Sequence, residues 1–112
     1  MRALVFILTF VALASASEAG AGTRATVKLR VVVSGGTVGV IHVAAGTARH
    51  LGCLIDCTYS YPPGTRLTVR AQGAANVTHF VRWSGACTGT KPTCVLVLSK
   101  DAVATAKFAL GG

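Results

Sequence analysis

Acidic residues are scarce: three Asp and Glu stand against eleven Lys and Arg in 112 residues. Past residue 21 the carboxylates are Asp56 and Asp101, so paired-carboxylate acid–base chemistry would require those two to meet. Asp56 sits between two cysteines and Asp101 in a turn-like stretch, and no such meeting is expected. His42, His50 and His79 are scattered, and no G-x-S-x-G elbow places a serine beside one of them. The C-x2-C knuckle that grips a tetrahedral zinc is missing as well, and no His follows the cysteines at ligand spacing. The chain therefore reads as non-enzymatic, with no metal and no cofactor. Aromatics are only 6% of the residues and do not interleave with basic ones, which argues against single-stranded nucleic acid as a partner. A 3.6-residue amphipathic stripe and an internal repeat are both lacking beyond the N-terminal stretch, which excludes a helical bundle and a repeat array.

What is present begins with Met1-Arg2, an apolar run over 3–14 broken only by Thr9, and small residues at Ala14, Ser15, Ala16 and Ser17. This is the order of parts in a secretory signal peptide. A span of about 12 apolar residues is short of the roughly 20 that a membrane-crossing helix needs. Residues 1–21 are assigned as the leader, with cleavage after Ala16 or Ala21, and residues 22–112 as a single domain with no second apolar span. Without Arg2, ten Lys and Arg face Glu18, Asp56 and Asp101, a net charge of about +7. Such a balance favours anionic partners.

Cys53, Cys57, Cys87 and Cys94 form an even set in a short exported chain, the signature of a disulfide framework. Three pairings are possible. The local one, Cys53 with Cys57 and Cys87 with Cys94, is favoured because both pairs are close and turn-forming residues lie between the second two. Rings that short remove roughly 2 to 2.5 kcal/mol each of unfolded-state entropy, and they are expected to stiffen loops more than to hold the fold.

From residue 25 onward the dominant signal is alternation rich in β-branched residues. Residues 27–33 put apolar side chains at odd positions and Lys28 and Arg30 at even ones. Ser34-Gly35-Gly36 supplies a turn and residues 37–43 return, so the two strands are expected to form a hairpin. Residues 44–52 lose the pattern and read as a loop. Strands follow over 57–61, 65–71, 79–83, 94–98 and 103–108, separated by Pro62-Pro63-Gly64 and by short polar or glycine-bearing loops. The expected fold is all-β: a small single domain of about seven short, mostly antiparallel strands with two local disulfides.

Within this pattern stand Gly35-Gly36-Thr37-Val38, a close cysteine pair, and Pro63-Gly64-Thr65-Arg66-Leu67-Thr68-Val69-Arg70-Ala71. They are followed by Phe80-Val81-Arg82-Trp83-Ser84-Gly85-Ala86-Cys87, a short loop to Cys94, and Val103-Ala104-Thr105-Ala106-Lys107-Phe108. In that company the residues from about 25 to 108 resemble the bacterial repeat domain related to the divergent InlB-like B-repeats. The resemblance implies a β-rich module of secreted and cell-surface proteins, with no catalytic residues to transfer. Residues 39–52 are longer than that pattern, a glycine precedes Cys53 where the family places one after its first cysteine, and a single copy is present.

Trp83, Phe80 and Phe108 are the expected structural core, since few other large residues exist to fill one. Tyr59 and Tyr61 share strand parity and are candidates for a surface that stacks on a sugar ring. Lys28 and Arg30, Arg66 and Arg70, and Lys107 share outward parity on three strands. If those strands are neighbours, the five form one cationic sheet face for an anionic ligand. The expected function is thus a secreted or cell-surface structural or binding module, monomeric, contacting anionic cell-wall or surface polymers. The alternative is a small cationic secreted effector or antimicrobial-like protein. Asn76-Val77-Thr78 matches a glycosylation sequon, a chance match in a bacterial exported protein of the kind that the resemblance implies.

Protein recovered from the medium of an exporting host should lack residues 1–16 or 1–21 and carry no free thiol. Intact mass and thiol titration check both, and an uncleaved chain with free thiols would reopen the metal reading.

Overall fold

A computed structural model describes residues 25–111. The expected leader, residues 1–21, lies outside the described residues. Eight strands occur among those described: β1 (Val27–Ser34), β2 (Gly39–Ala45), β3 (Ala48–Arg49), β4 (Asp56–Tyr61), β5 (Thr65–Gly73), β6 (Thr78–Gly85), β7 (Thr93–Leu98) and β8 (Ala102–Leu110). They form two four-stranded sheets, ordered β4-β1-β8-β6 and β3-β2-β5-β7. The fold is all-β and mostly antiparallel, with β1 and β8 the parallel pair. The strand alternation read from the sequence has its cause here: each sheet buries one face, and residues two apart share it. Leu29 and Val31, Ile41 and Val43, Leu67, Val69 and Ala71, and Ala104, Ala106 and Phe108 all point into one core between the sheets.

The expected hairpin of β1 and β2 does not form. Both edges of β1 are occupied, by β4 and β8, and β2 lies in the other sheet. Gly35 and Gly36 have φ of 104° and 70°, and they swing the chain across the core instead of returning it alongside. A side chain on Gly35 would collide with the Phe108 carbonyl, and one on Gly39 with the Phe108 ring. Apart from β2 and β3, every strand is followed by one in the opposite sheet. Residues 44–52 are also more ordered than a loop, because Gly46, at φ 61°, turns the chain from β2 into β3.

Both cysteine pairs are the local ones, but their positions do more than stiffen loops. Cys53 is hydrogen-bonded through its backbone to Ile41 of the second sheet, whereas Cys57 lies in β4 of the first. Cys87 follows β6 of the first sheet and Cys94 lies in β7 of the second. Each bridge therefore closes a place where the chain passes between sheets. Two disulfides also place the domain in an oxidising compartment.

Trp83 and Phe108 are buried, and Phe80 packs on both at centroid separations of 5.3 and 5.9 Å. Trp83 is paired with Ala106 on β8, so the small side chain leaves room for the large one. The indole N–H donates to the Lys91 carbonyl at 2.9 Å. Thr78, the buried polar residue, is satisfied too. Its hydroxyl accepts from the Ala74 N–H and donates to the Val38 carbonyl, tying the β5–β6 turn to the β1–β2 crossover. Asn76 in that turn takes φ 64°.

Replacing Gly39→Ala should lower stability by about 1 to 3 kcal/mol, because a methyl group there meets the buried Phe108 ring in a core with no slack. Denaturant unfolding reads the change, and an unaltered midpoint would mean that the ring has room to move.

Candidate anion-binding site

The five cations read from the sequence do not share one face. Lys28 and Arg30 on β1 and Lys107 on β8 lie on the outer side of the first sheet, whereas Arg66 and Arg70 on β5 lie on the outer side of the second. β5 is flanked by β2 and β7, so the condition that these strands be neighbours is not met.

On the first sheet the charge is partly neutralised. Arg30 donates from Nε and Nη2 to the two Asp56 oxygens at 2.9 and 2.6 Å, a bidentate pair near the solvent. The hydrogen bond from Arg30 holds the Asp56 carboxyl below the usual carboxylate range. Asp101 accepts the Lys28 backbone N–H at 2.8 Å. The two carboxylates are thus engaged at different points along β1. Arg82 joins Lys107 across the β6–β8 pair.

The second sheet presents a different surface. His42 is directly opposite Arg70, and Ala44 is opposite both Thr68 and Arg49. The β2–β3 turn brings Arg49 and His50 over this patch, and the result is a recess of about 350 Å³ lined by His42, Ala44, Arg49, His50, Thr68 and Arg70. No carboxylate lines it. Arg70 reaches Gln72 at 3.4 Å, a contact that leaves its charge uncompensated. Two guanidiniums, the His42 imidazole and a hydroxyl can together donate several hydrogen bonds to phosphate, sulfate or carboxylate oxygens. Arg49, His42 and His50 were not among the five sequence candidates. The signal available for His42 was its outward parity with Val40 and Ala44. Arg49 and His50 depend on a two-residue strand with no sequence pattern of its own.

Tyr59 and Tyr61 face between the sheets at the sandwich edge, packed against the core, so they do not form an outer stacking platform. His50 covers them: its ring stacks on Tyr59 at 4.2 Å and meets Tyr61 edge-on at 5.8 Å. His79 is elsewhere, with Nδ1 2.8 Å from the Gly111 carbonyl. Among the described residues, no three His, Cys, Asp or Glu side chains come close enough to hold a metal ion.

Burial raises the Tyr59 hydroxyl above its ordinary range, and Tyr61 is raised by burial and then by Tyr59. A folded-state value above the unfolded one contributes stability that is complete below about pH 10 and is lost as pH rises through the folded value. The Tyr61 hydroxyl is also buried without a hydrogen-bond partner among the described residues. Tyr61→Phe should therefore leave stability at pH 7 unchanged or raise it by up to about 1 kcal/mol, and should make the alkaline decline shallower. Thermal melts at pH 7 and pH 11 check this, and a loss at pH 7 would show that the hydroxyl has a partner. Comparison with protein-family models, curated proteins and solved structures returns no match.

Proposed function

We propose that this domain is an exported, non-enzymatic binding module that holds an anionic cell-wall or surface polymer on the outer face of its second sheet. The carboxylate-free recess formed by His42, Arg49, His50, Thr68 and Arg70 carries the reading. Its charge is concentrated in a recess, and a cluster of like charges with no carboxylate partner raises the local concentration of anions. Arg66 extends the patch along β5, opposite Val97 of β7. A repeating polyanion could contact Arg66 and Arg70 with successive charges, since these side chains lie four residues apart on one face of the strand.

The closed disulfides and the leader-like residues 1–21 agree with an extracellular place of work. So does the resemblance to a bacterial surface repeat module. A general cationic effector would use total charge in any arrangement, whereas a binding module depends on which cations are removed.

Titration with a poly(glycerol phosphate) and with a polyuronate separates the two. Arg49→Gln with Arg70→Gln should weaken binding by roughly tenfold at 0.15 M salt, whereas Lys28→Gln with Lys107→Gln removes equal charge and should weaken it by less than about threefold. Affinity should also fall steeply with added salt. Equal losses for the two pairs would favour the effector reading, and an absence of binding to either polymer would sink the proposal.

A further inference from the structure

Beside the basic recess, three large aliphatic side chains lie within five residues: Leu51, Leu54 and Ile55, exposed by 92%, 67% and 75%. Single exposed aliphatics are ordinary on a protein surface, but a cluster on one loop is not. The loop is also held in place. Cys53 exchanges backbone hydrogen bonds with Ile41 at 2.8 and 2.9 Å, the Ile55 carbonyl accepts from Val33 at 2.8 Å, and the Cys53–Cys57 bridge closes the segment. Leu54 adjoins a shallow recess with Val38 and Val40, which extends the apolar surface toward β2. These side chains cannot fold back into the core without breaking the contacts that anchor Cys53.

Charge decides what can cover them. Arg49 and His50 immediately precede Leu51, and Arg70 stands across the recess from both. Asp56, which follows Ile55, is already paired with Arg30. A second copy of this chain would bring a second set of these cations against the first, so self-association is opposed by like charge. A surface that is apolar just beneath an anionic layer matches both features, and that is the headgroup region of a negatively charged bilayer.

We propose that the segment bearing Leu51 and, inside the Cys53–Cys57 ring, Leu54 and Ile55 seats this domain on an anionic lipid surface, with Arg49 and Arg70 toward the lipid phosphates. The proposal rests on the anion-binding reading above for its charged half and on the loop for its apolar half. Peripheral attachment of this kind needs both signals, because buried apolar area and attraction to anionic lipid each supply part of the affinity. A cation near such a surface is worth on the order of fivefold in partitioning.

The test is co-sedimentation of the exported, oxidised protein with vesicles of phosphatidylglycerol and phosphatidylcholine mixed equally, and with vesicles of phosphatidylcholine alone. Partitioning should favour the anionic vesicles by about tenfold or more. The triple variant Leu51→Ser, Leu54→Ser, Ile55→Ser should lose about tenfold on anionic vesicles, yet bind soluble poly(glycerol phosphate) as the parent does. Val103→Ser with Leu110→Ser, which removes exposed aliphatics from β8 in the other sheet, should change neither. Leu54→Trp should show a blue shift in emission on anionic vesicles, a measurement that does not depend on the triple variant folding.

Equal vesicle binding by parent and triple variant, or no shift from Leu54→Trp, would overturn the proposal, as would a concentration-dependent dimer that the triple variant abolishes. Vesicle binding that survives while soluble polymers fail to bind would retain the loop and reject the polymer reading.

Discussion

Two sheets with few large side chains must bury enough apolar surface to hold each other, and Trp83 and Phe108 between them are where this is met. Full burial of an aromatic of that size contributes about 2 to 3 kcal/mol from area alone, and both are nearly inaccessible. The surrounding positions are adjusted to them. Ala104 and Ala106 stay small on β8, Gly39 lets β2 begin against the Phe108 ring, and Gly35 lets the crossover pass the Phe108 backbone. A domain of this size has little core to spare. The two disulfides add their effect at the passages between sheets, where a local ring in sequence becomes a connection across the sandwich.

Surface chemistry follows from the same arrangement. Because successive strands alternate between sheets, basic residues from neighbouring stretches of sequence are dealt to opposite sides of the molecule. Lys28, Arg30 and Lys107 go to one side, where Asp56 partly neutralises them. Arg66 and Arg70 go to the other, where the β2–β3 turn adds Arg49 and His50 and no acid intervenes. On the second sheet the positive charge is thereby gathered into a patch that no carboxylate lines. The segment that completes it runs on into Leu51, Leu54 and Ile55, so a basic surface and an apolar one adjoin.

Alternation made most of the strands legible: the seven strands read from residue patterns each overlap a strand of the structure, with ends displaced by no more than two residues. The local cysteine pairing was legible for a similar reason, since near neighbours in sequence are easily brought to bonding distance. Partner choice was not. Ser34-Gly35-Gly36 has the composition of a tight turn, yet its glycines serve a crossover, and nothing in those residues records that β4 and β8 already flank β1. Tyr59 and Tyr61 were likewise read from parity as a pair on one face, but parity does not say which face is covered. β3 is too short to have a period.

The sequence by itself determined the period of each strand, the apolar parity that goes inward, the cysteine spacing and the excess of cations over carboxylates. These are properties of neighbours along the chain, where sterics and side-chain alternation act directly. Tertiary structure alone decided the order of the strands, the division of the basic residues between two faces, the recess around His42 and Arg70, and the exposure of the Leu51–Ile55 segment. Those depend on contacts between residues far apart in sequence, and burying one shared core selects among pairings that local patterns leave equally open.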